Sequence, residues 1–251
     1  MPAGDASIVA VLQARTSSTR LPGKVLKPLV GQPMLARQIE RVRRSRRIGH
    51  LIVATSATPS DDPIANLCVD LRVACYRGAL DDVLDRFYRA ARPDEPPHVV
   101  RLTADCPLVD PAVVDATIDF YLTGGFDYAS NTLEPTFPDG LDVEVLRFTC
   151  LEEAWREATL TFEREHVTPF IYGRPARYLI GHYKQDKDLS HLRWTVDYPE
   201  DFNFVEAVYE FLYPRKRDFV TEDVLLLLEQ QPALARLNVA RVSAVSKESP
   251  A

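Results

Sequence analysis

Two unbroken apolar runs, Ile8–Leu12 and Leu51–Ala54, constrain this chain more than any other feature of its sequence. A strand with one wet face alternates apolar and polar residues. An unbroken run of strand length instead suits a parallel sheet covered by helices on both faces. Val73–Tyr76 and His98–Leu102 are two further strand candidates. Helical patterns separate them. Leu35, Ile39 and Val42 share a face after Pro33, and Asp61-Asp62-Pro63 opens a helix with acidic residues and proline in its first turn. Val83, Leu84, Phe87, Tyr88 and Ala91 share a face after Asp81-Asp82, as do Val114, Ile118 and Tyr121 after Pro111. Strand and helix thus alternate through the first half. The pattern predicts an α/β fold, a three-layer α/β/α sandwich around a mostly parallel sheet.

The second half is less regular. Gly124-Gly125 marks a turn, Leu141–Leu146 reads as a strand alternating with acidic residues, and Thr149–Ala158 as a helix. Tyr178–Tyr183 and Arg193–Val196 are expected strands; Pro199–Tyr213 and Thr221–Gln231 are expected helices. No repeat, low-complexity linker or compositional break appears. We therefore read 1–245 as a single domain with a small excursion about 128–191, and 246–251 as a frayed tail.

A chain of 251 residues that is 46% hydrophobic and 26% charged can bury a substantial core, which excludes wholesale disorder. It contains no apolar run of about 18 residues, so no membrane-spanning helix is expected. Met1–Ser7 carries Asp5 and no basic segment, so no cleaved signal peptide is expected either. Thirty basic residues against thirty-six acidic ones, a net charge of −6, argue against a nucleic-acid partner. Arg37, Arg41, Arg43, Arg44, Arg46 and Arg47 lie opposite Leu35, Ile39 and Val42, and are read as a solvated helix face. Cys68, Cys75, Cys106 and Cys150 form no C-x-x-C pair and have no histidine at zinc-finger spacing. They are expected to be reduced thiols of a cytoplasmic chain, three of them in the core.

The chemistry concentrates in Leu12-Gln13-Ala14-Arg15-Thr16-Ser17-Ser18-Thr19-Arg20-Leu21-Pro22-Gly23-Lys24, directly after the first apolar run. Ligands of open parallel sheets bind at the carboxyl ends of strands. A loop there with Arg15, Arg20 and Lys24 would face a polyanion, and Gly23 would let the backbone come close to it. Composition alone leaves a solvated basic loop as the alternative. Val25 follows Gly23-Lys24, so this is not a P-loop, and no G-x-G-x-x-G, G-x-S-x-G or H-E-x-x-H occurs.

Gln13–Lys24 with Val25-Leu26-Lys27-Pro28-Leu29 resembles the opening motif of the cytidylyltransferase family, which includes synthetases of CMP-activated 3-deoxy-2-keto sugar acids. The likeness is strongest to its spore-coat-polysaccharide, SpsF-like branch and covers most of the chain. Arg77-Gly78 with Asp81–Arg86, Arg101–Leu108, Asn131-Thr132, Phe137–Glu144, Arg164–Pro169 and Trp194–Asp201 are similar to further motifs of that branch, in order. The resemblance implies a nucleotide-diphosphosugar-transferase-like fold and transfer of CMP from CTP to a sugar acid or related acceptor, with pyrophosphate released. It implies Arg15, Lys24, Asp105 and Asp197 as catalytic residues. Leu12, Gln13, Ala14, Arg15, Arg20, Lys24, Ser56, Arg77, Thr103, Ala104 and Asp105 would bind the nucleotide, with Mg2+ shared by Asp105 and Asp197. Asn131, Asp139, Asp142, Glu144, Arg164, Glu165 and His166 would bind the acceptor. Related synthetases are often homodimers, so a homodimer is an open possibility.

Each position has a plainer reading as well. Asp105 follows the strand at Val99–Thr103, where a hard carboxylate suits Mg2+ bridging phosphates, or it caps the turn before Pro107. Asp197 precedes Pro199 and would also serve as a helix cap. Ser56 lies beyond a strand end, touching ribose or base or standing free in a loop. Asp82 suits a helix N-terminus on dipole grounds, while Arg77 is long enough to reach a nucleotide. Asp142 and Glu144 share one strand face, either an acceptor pocket or the wet side. Arg164–His166 is an acceptor segment or a solvated helix start. A glycosyltransferase using a nucleotide sugar, or a non-catalytic nucleotide-binding protein, are the alternative functions.

Overall fold

The computed structural model describes residues 5–237, so the expected tail at 246–251 lies outside the described residues. Strand β1 (Asp5–Gln13) runs into a loop, a short 3-10 turn at Lys24–Leu26 and a two-residue antiparallel hairpin, β2 (Pro28–Leu29) and β3 (Gln32–Pro33). Helix α1 (Met34–Val42) leads to β4 (Ile48–Ser56), α2 (Asp62–Asp70) to β5 (Ala74–Gly78), and α3 (Val83–Ala91) to β6 (His98–Thr103). Then come α4 (Pro111–Gly124), β7 (Tyr128–Ser130), β8 (Glu144–Arg147), α5 (Phe148–Glu157), α6 (Thr161–His166), α7 (Pro169–Tyr172), β9 (Ile180–His182), α8 (Pro199–Leu212) and α9 (Thr221–Gln230).

Among the described residues the main sheet has seven strands in the order β5-β4-β1-β6-β8-β7-β9. Strands β5, β4, β1 and β6 are parallel, and β8 is antiparallel to both of its neighbours. This is the mostly parallel sandwich that the sequence predicts. β1 is central, which explains its unbroken apolar run. Ile8, Ala10 and Leu12 face a cluster with Leu35, Ile39, Val114, Ile118, Val205 and Val224. Val9 and Val11 face the opposite cluster with Val83, Leu84, Phe87, Leu151 and Ala154. Each such valine, leucine, isoleucine or phenylalanine side chain, fully buried, contributes about 1.5–3 kcal/mol.

The topology fixes where a ligand can enter. From β1 the chain steps outward through β4 to β5, then returns past both to β6 on the far side of β1. Right-handed crossovers in opposite directions place α1 and α2 on one face and α3 on the other. The direction reverses between β1 and β6, whose carboxyl ends are stitched by the Gln13–Thr103 pairing and an Ala104 N–H to Gln13 carbonyl bond of 3.0 Å. Such a reversal opens a crevice.

Three expectations need correction. Arg193–Val196 is no strand; it makes only an isolated bridge, Asp139 to Arg193. Its Trp194 and Thr195 amides both donate to the Asp139 carbonyl, which ties the two loops crosswise. Gly140 makes this crossing possible: it has φ 111°, and a Cβ there would lie 2.5 Å from the Thr195 nitrogen. The strand expected at Leu141–Leu146 is paired only over Glu144–Arg147. Ahead of it the Asn131 amide replaces a partner strand, donating to the Leu141 carbonyl and accepting from the Val143 amide, each at 2.8 Å. The arginine face of α1 is not uniformly solvated. Arg41 is buried, donates to the Val109 carbonyl at 2.7 Å and stacks on Phe219; Arg37 is buried against Leu29, Val30 and Tyr213. The segment after α8 covers that face, so the arginine stems pack and their heads bind carbonyls.

Cys68, Cys106 and Cys150 are buried and Cys75 is exposed, all as free thiols. Among the described residues no helix is long and apolar enough to cross a membrane.

Candidate functional site

A cleft of about 210 Å3 opens where the topology places it, over the carboxyl ends of β1 and β6. Gln13, Ala14 and Arg15 enter it from the end of β1, Arg20 and Lys24 from the loop, and Thr103, Ala104 and Asp105 from the end of β6. Glu165 and His166 close one side from α6, and Asp197 another from the start of α8.

The charges form a tight network. The Lys24 ammonium lies 3.3 Å from Asp105 Oδ2, 3.0 Å from Asp197 Oδ1 and 2.7 Å from the Val196 carbonyl. Burial alone would lower the Lys24 pKa, but the Asp105 and Asp197 carboxylates outweigh it and hold it above the ordinary lysine value. Burial would likewise raise Asp105; the Lys24 ammonium and the Thr103 hydroxyl overcome this and keep it below the usual carboxylate range. Asp197 also accepts from Arg20 at 2.9 Å and, on its other oxygen, from Arg193 at 3.1 Å. Arg193 is itself gripped by Asp201 at 3.0 and 3.1 Å and by Asp139 at 2.8 Å. Asp197 is thus held by three cations. The cap of α8 belongs to Asp201, whose Oδ2 accepts from the Asp197 and Tyr198 amides.

These residues fit a divalent cation. One ammonium already bridges Asp105 and Asp197, so both carboxylates turn toward a common point that a positive charge occupies. Among the described residues no set of three or more His, Cys, Asp or Glu is arranged to hold a metal. Two carboxylates with room for waters and phosphate oxygens match the habit of Mg2+ rather than a protein-only cage.

Arg86, which the sequence reading does not single out, also lines the cleft from α3. Its guanidinium donates to the Ala79 and Leu80 carbonyls, while its buried Nε has no hydrogen-bond partner. Burial, and then the adjacent Arg15 guanidinium, lower its pKa. With Arg15, Arg20 and Lys24 at the same crevice, Arg86 favours an anion with several negative charges. Arg86 does fall inside the Asp81–Arg86 motif, so a signal was present.

Other sequence candidates are placed elsewhere. Leu12 is fully buried beneath the cleft. Ser56 is fully buried too, its hydroxyl bonded to Asp61 and Thr58 rather than facing a ligand. Arg77 is spent on the Ser56 and Thr58 carbonyls and on Asp62, at 3.2, 3.0 and 2.6 Å. Neither lines the cleft. Asp82 is the N-cap of α3, accepting from the Asp85 amide at 2.9 Å.

The acceptor candidates divide. Glu165 and His166 line the cleft, but Arg164 points away, pairing with Asp82 and donating to the Trp155 carbonyl at 2.7 Å. A tight turn follows at buried Val167, φ 72° and ψ −55°, closed by the Thr168 N–H to His166 carbonyl bond of 2.9 Å. A β-branched residue in that region is strained, so packing must hold the turn that presents His166. Asn131 is committed to backbone. Asp139 lies with Arg193, and Glu144 pairs with Arg101 at 3.1 Å. Burial first, and then Asp139, push the Asp142 carboxyl up to about 7.

The comparisons with known proteins agree with this geometry. The family model described as cytidylyltransferase matches residues 9–230. The chain is 33% identical over 235 residues to the spore coat polysaccharide biosynthesis protein SpsF of Bacillus subtilis, covering 91% of this chain and 96% of that one. Among solved structures it is similar to a cytidylyltransferase from Leptospira borgpetersenii, with TM-score 0.87 and 28% identity over 92% of this chain and 97% of that one. It also shares its fold with a CMP:2-keto-3-deoxy-manno-octonic acid synthetase solved with CTP, with TM-score 0.62 and 18% identity over 81% of this chain and 98% of the other. A match of this extent, over a cleft of this chemistry, is decisive: the chain belongs to the cytidylyltransferase family.

Proposed function

We propose that this protein transfers CMP from CTP to a small hydroxylated acceptor, a sugar acid or a related compound, and releases pyrophosphate. The product would be a precursor of a surface polysaccharide or glycoconjugate. The observation that carries this reading is the convergence of Arg15, Arg20, Lys24, Asp105 and Asp197 on one cleft at the β1–β6 reversal.

In this reading the acceptor oxygen attacks the α-phosphorus as the bond to the β-phosphate oxygen breaks. The catalytic demand is alignment and charge neutralisation. Arg15 and Arg20 would grip phosphate oxygens with planar forks, and Lys24 would follow the charge onto the departing pyrophosphate. Asp105 and Asp197 would hold Mg2+, which when bound polarises the phosphate and lowers the pKa of a nearby hydroxyl. Glu165 and His166, on the opposite wall, would meet the acceptor.

The test is a pyrophosphate-release assay with CTP and Mg2+ over a panel of keto-deoxy sugar acids and other sugars. CTP-dependent pyrophosphate with a CMP-linked product supports the reading. Release of a nucleoside phosphate from a supplied sugar nucleotide would replace it with a glycosyltransferase.

A further inference from the structure

The cationic loop is anchored by a residue that belongs to neither flanking element. Thr16 is the knot of this loop: its carbonyl accepts from the Ser18 and Gly23 amides, both at 2.9 Å. Gly23, at φ 69°, then turns the chain into the 3-10 turn that begins with Lys24. The other side of Thr16 is tied to Asp61, 45 residues later. Its amide donates to Asp61 Oδ1 at 2.8 Å and its hydroxyl to the same oxygen at 2.6 Å. Asp61 Oδ2 faces the other way and accepts from the Thr55 hydroxyl and the Ser56 amide, both at 3.1 Å, and from the Ser56 hydroxyl.

Asp61 is fully buried. Burial alone would raise its pKa, but the Ser56 and Thr16 hydrogen bonds outweigh it and hold the group below the usual carboxylate range. A buried carboxylate satisfied by five neutral donors is rigid, because losing any one leaves charge unsolvated. Asp61 is therefore more than the start of α2. It does not cap that helix with its side chain and does not line the cleft.

We propose that Asp61 is a positioning residue for the triphosphate: it fastens the loop of Arg15, Arg20 and Lys24 to the end of β4, so that these charges are set before nucleotide arrives. The inference rests on the proposed nucleotide site. Its chemistry is preorganisation, since a cation held in place loses less freedom on binding than one on a free loop. Ser56, expected to touch the nucleotide, acts on this reading one step removed, as a donor to the clamp.

Thr16→Val removes the hydroxyl donor while keeping shape and the amide. It should weaken CTP binding in the presence of Mg2+ by about tenfold, the scale of one hydrogen bond to a charged group. KM for CTP should rise more than kcat falls, and Thr16→Ser should restore both. Amide hydrogen exchange at Ser18 and Gly23 should quicken in Thr16→Val and stay unchanged at β6. Asp61→Asn should show the same defects, and the double variant should be no worse than Asp61→Asn alone. If Asp61→Asn fails to fold, the Thr16 pair still decides the matter. Folded Thr16→Val with wild-type exchange at Ser18 and Gly23 and unaltered CTP affinity would overturn the clamp. Absence of CTP binding in the wild type would instead overturn the nucleotide reading, and the exchange data would still judge the clamp.

Discussion

The two walls of the cleft are built differently. The proposed nucleotide wall is built mainly from one continuous loop and two strand ends, joined by Asp197 ahead of α8 and Arg86 from α3, and several of its charges are already paired: Lys24 between Asp105 and Asp197, Arg20 on Asp197. The proposed acceptor wall is drawn from separate stretches of chain. Most of its candidate groups are claimed by partners outside that set, Asp139 by Arg193, Glu144 by Arg101, Arg164 by Asp82 and Asn131 by backbone, leaving exposed Glu165 and His166 at the opening. A ligand made of phosphates has one charge pattern whatever acceptor it meets. The wall that reads it can be rigid, while the wall that reads the acceptor can vary with little consequence for the fold.

Substitutions should separate the walls by size of effect. On the proposed reading Lys24→Ala and Asp105→Ala each remove a charge that would face the reacting phosphates, and should cost on the order of a hundredfold or more in kcat/KM. Asp105→Ala should in addition abolish the response of CTP binding to Mg2+. Arg86→Met, which keeps a flexible apolar stem, should weaken CTP by roughly tenfold, the scale of one charge-assisted hydrogen bond at the edge of the site. Unchanged affinity would remove Arg86 from the nucleotide wall. His166→Ala should leave CTP affinity within about twofold of wild type, measured by calorimetry, as expected for an acceptor-side group whose truncation leaves the phosphates' partners in place. A loss of CTP binding there as large as that of Lys24→Ala would erase the distinction between the walls.

A separate effect concerns stability. The Asp142 carboxyl sits at about 7 in the fold, above its ordinary value of 3.8, chiefly through burial and then Asp139. The folded state therefore binds a proton that the unfolded chain has released, and stability from this group falls as pH rises from about 4 to about 7. Asp142→Asn removes that penalty. Its melting temperature should exceed that of wild type at pH 8, with the difference shrinking toward pH 4. Equal melting temperatures at both pH values would show that Asp142 ionises freely in the fold.

The same contrast explains what the sequence discloses. The loop from Arg15 to Lys24 is legible because its charges are contiguous and follow a buried strand. Asp105 and Asp197 are legible as strand-end or helix-start carboxylates, although no local pattern says that one lysine joins them. Asp61 reads as a helix opening because Asp-Asp-Pro is a cap pattern, and nothing nearby in sequence announces Thr16 as its partner. Ser56 sits at a strand end and Arg77 is long enough to reach a ligand, yet hydrogen bonds closer to hand claim both. Periodicity places Arg37 and Arg41 on the polar face of α1, but not the chain after α8 that covers it. Interactions made at long range decide which polar residues remain free for a ligand.

The most direct measurement is a thermal-shift titration of the wild-type protein with CTP, UTP, ATP and GTP, each with and without Mg2+. A ligand at one hundred times its Kd stabilises the fold by about 2.7 kcal/mol. CTP with Mg2+ should raise the melting temperature clearly above the other nucleotides, and chelation of the metal should remove most of the gain. Indifference to all four nucleotides, with and without the metal, would contradict the convergence of loop and carboxylates on a triphosphate.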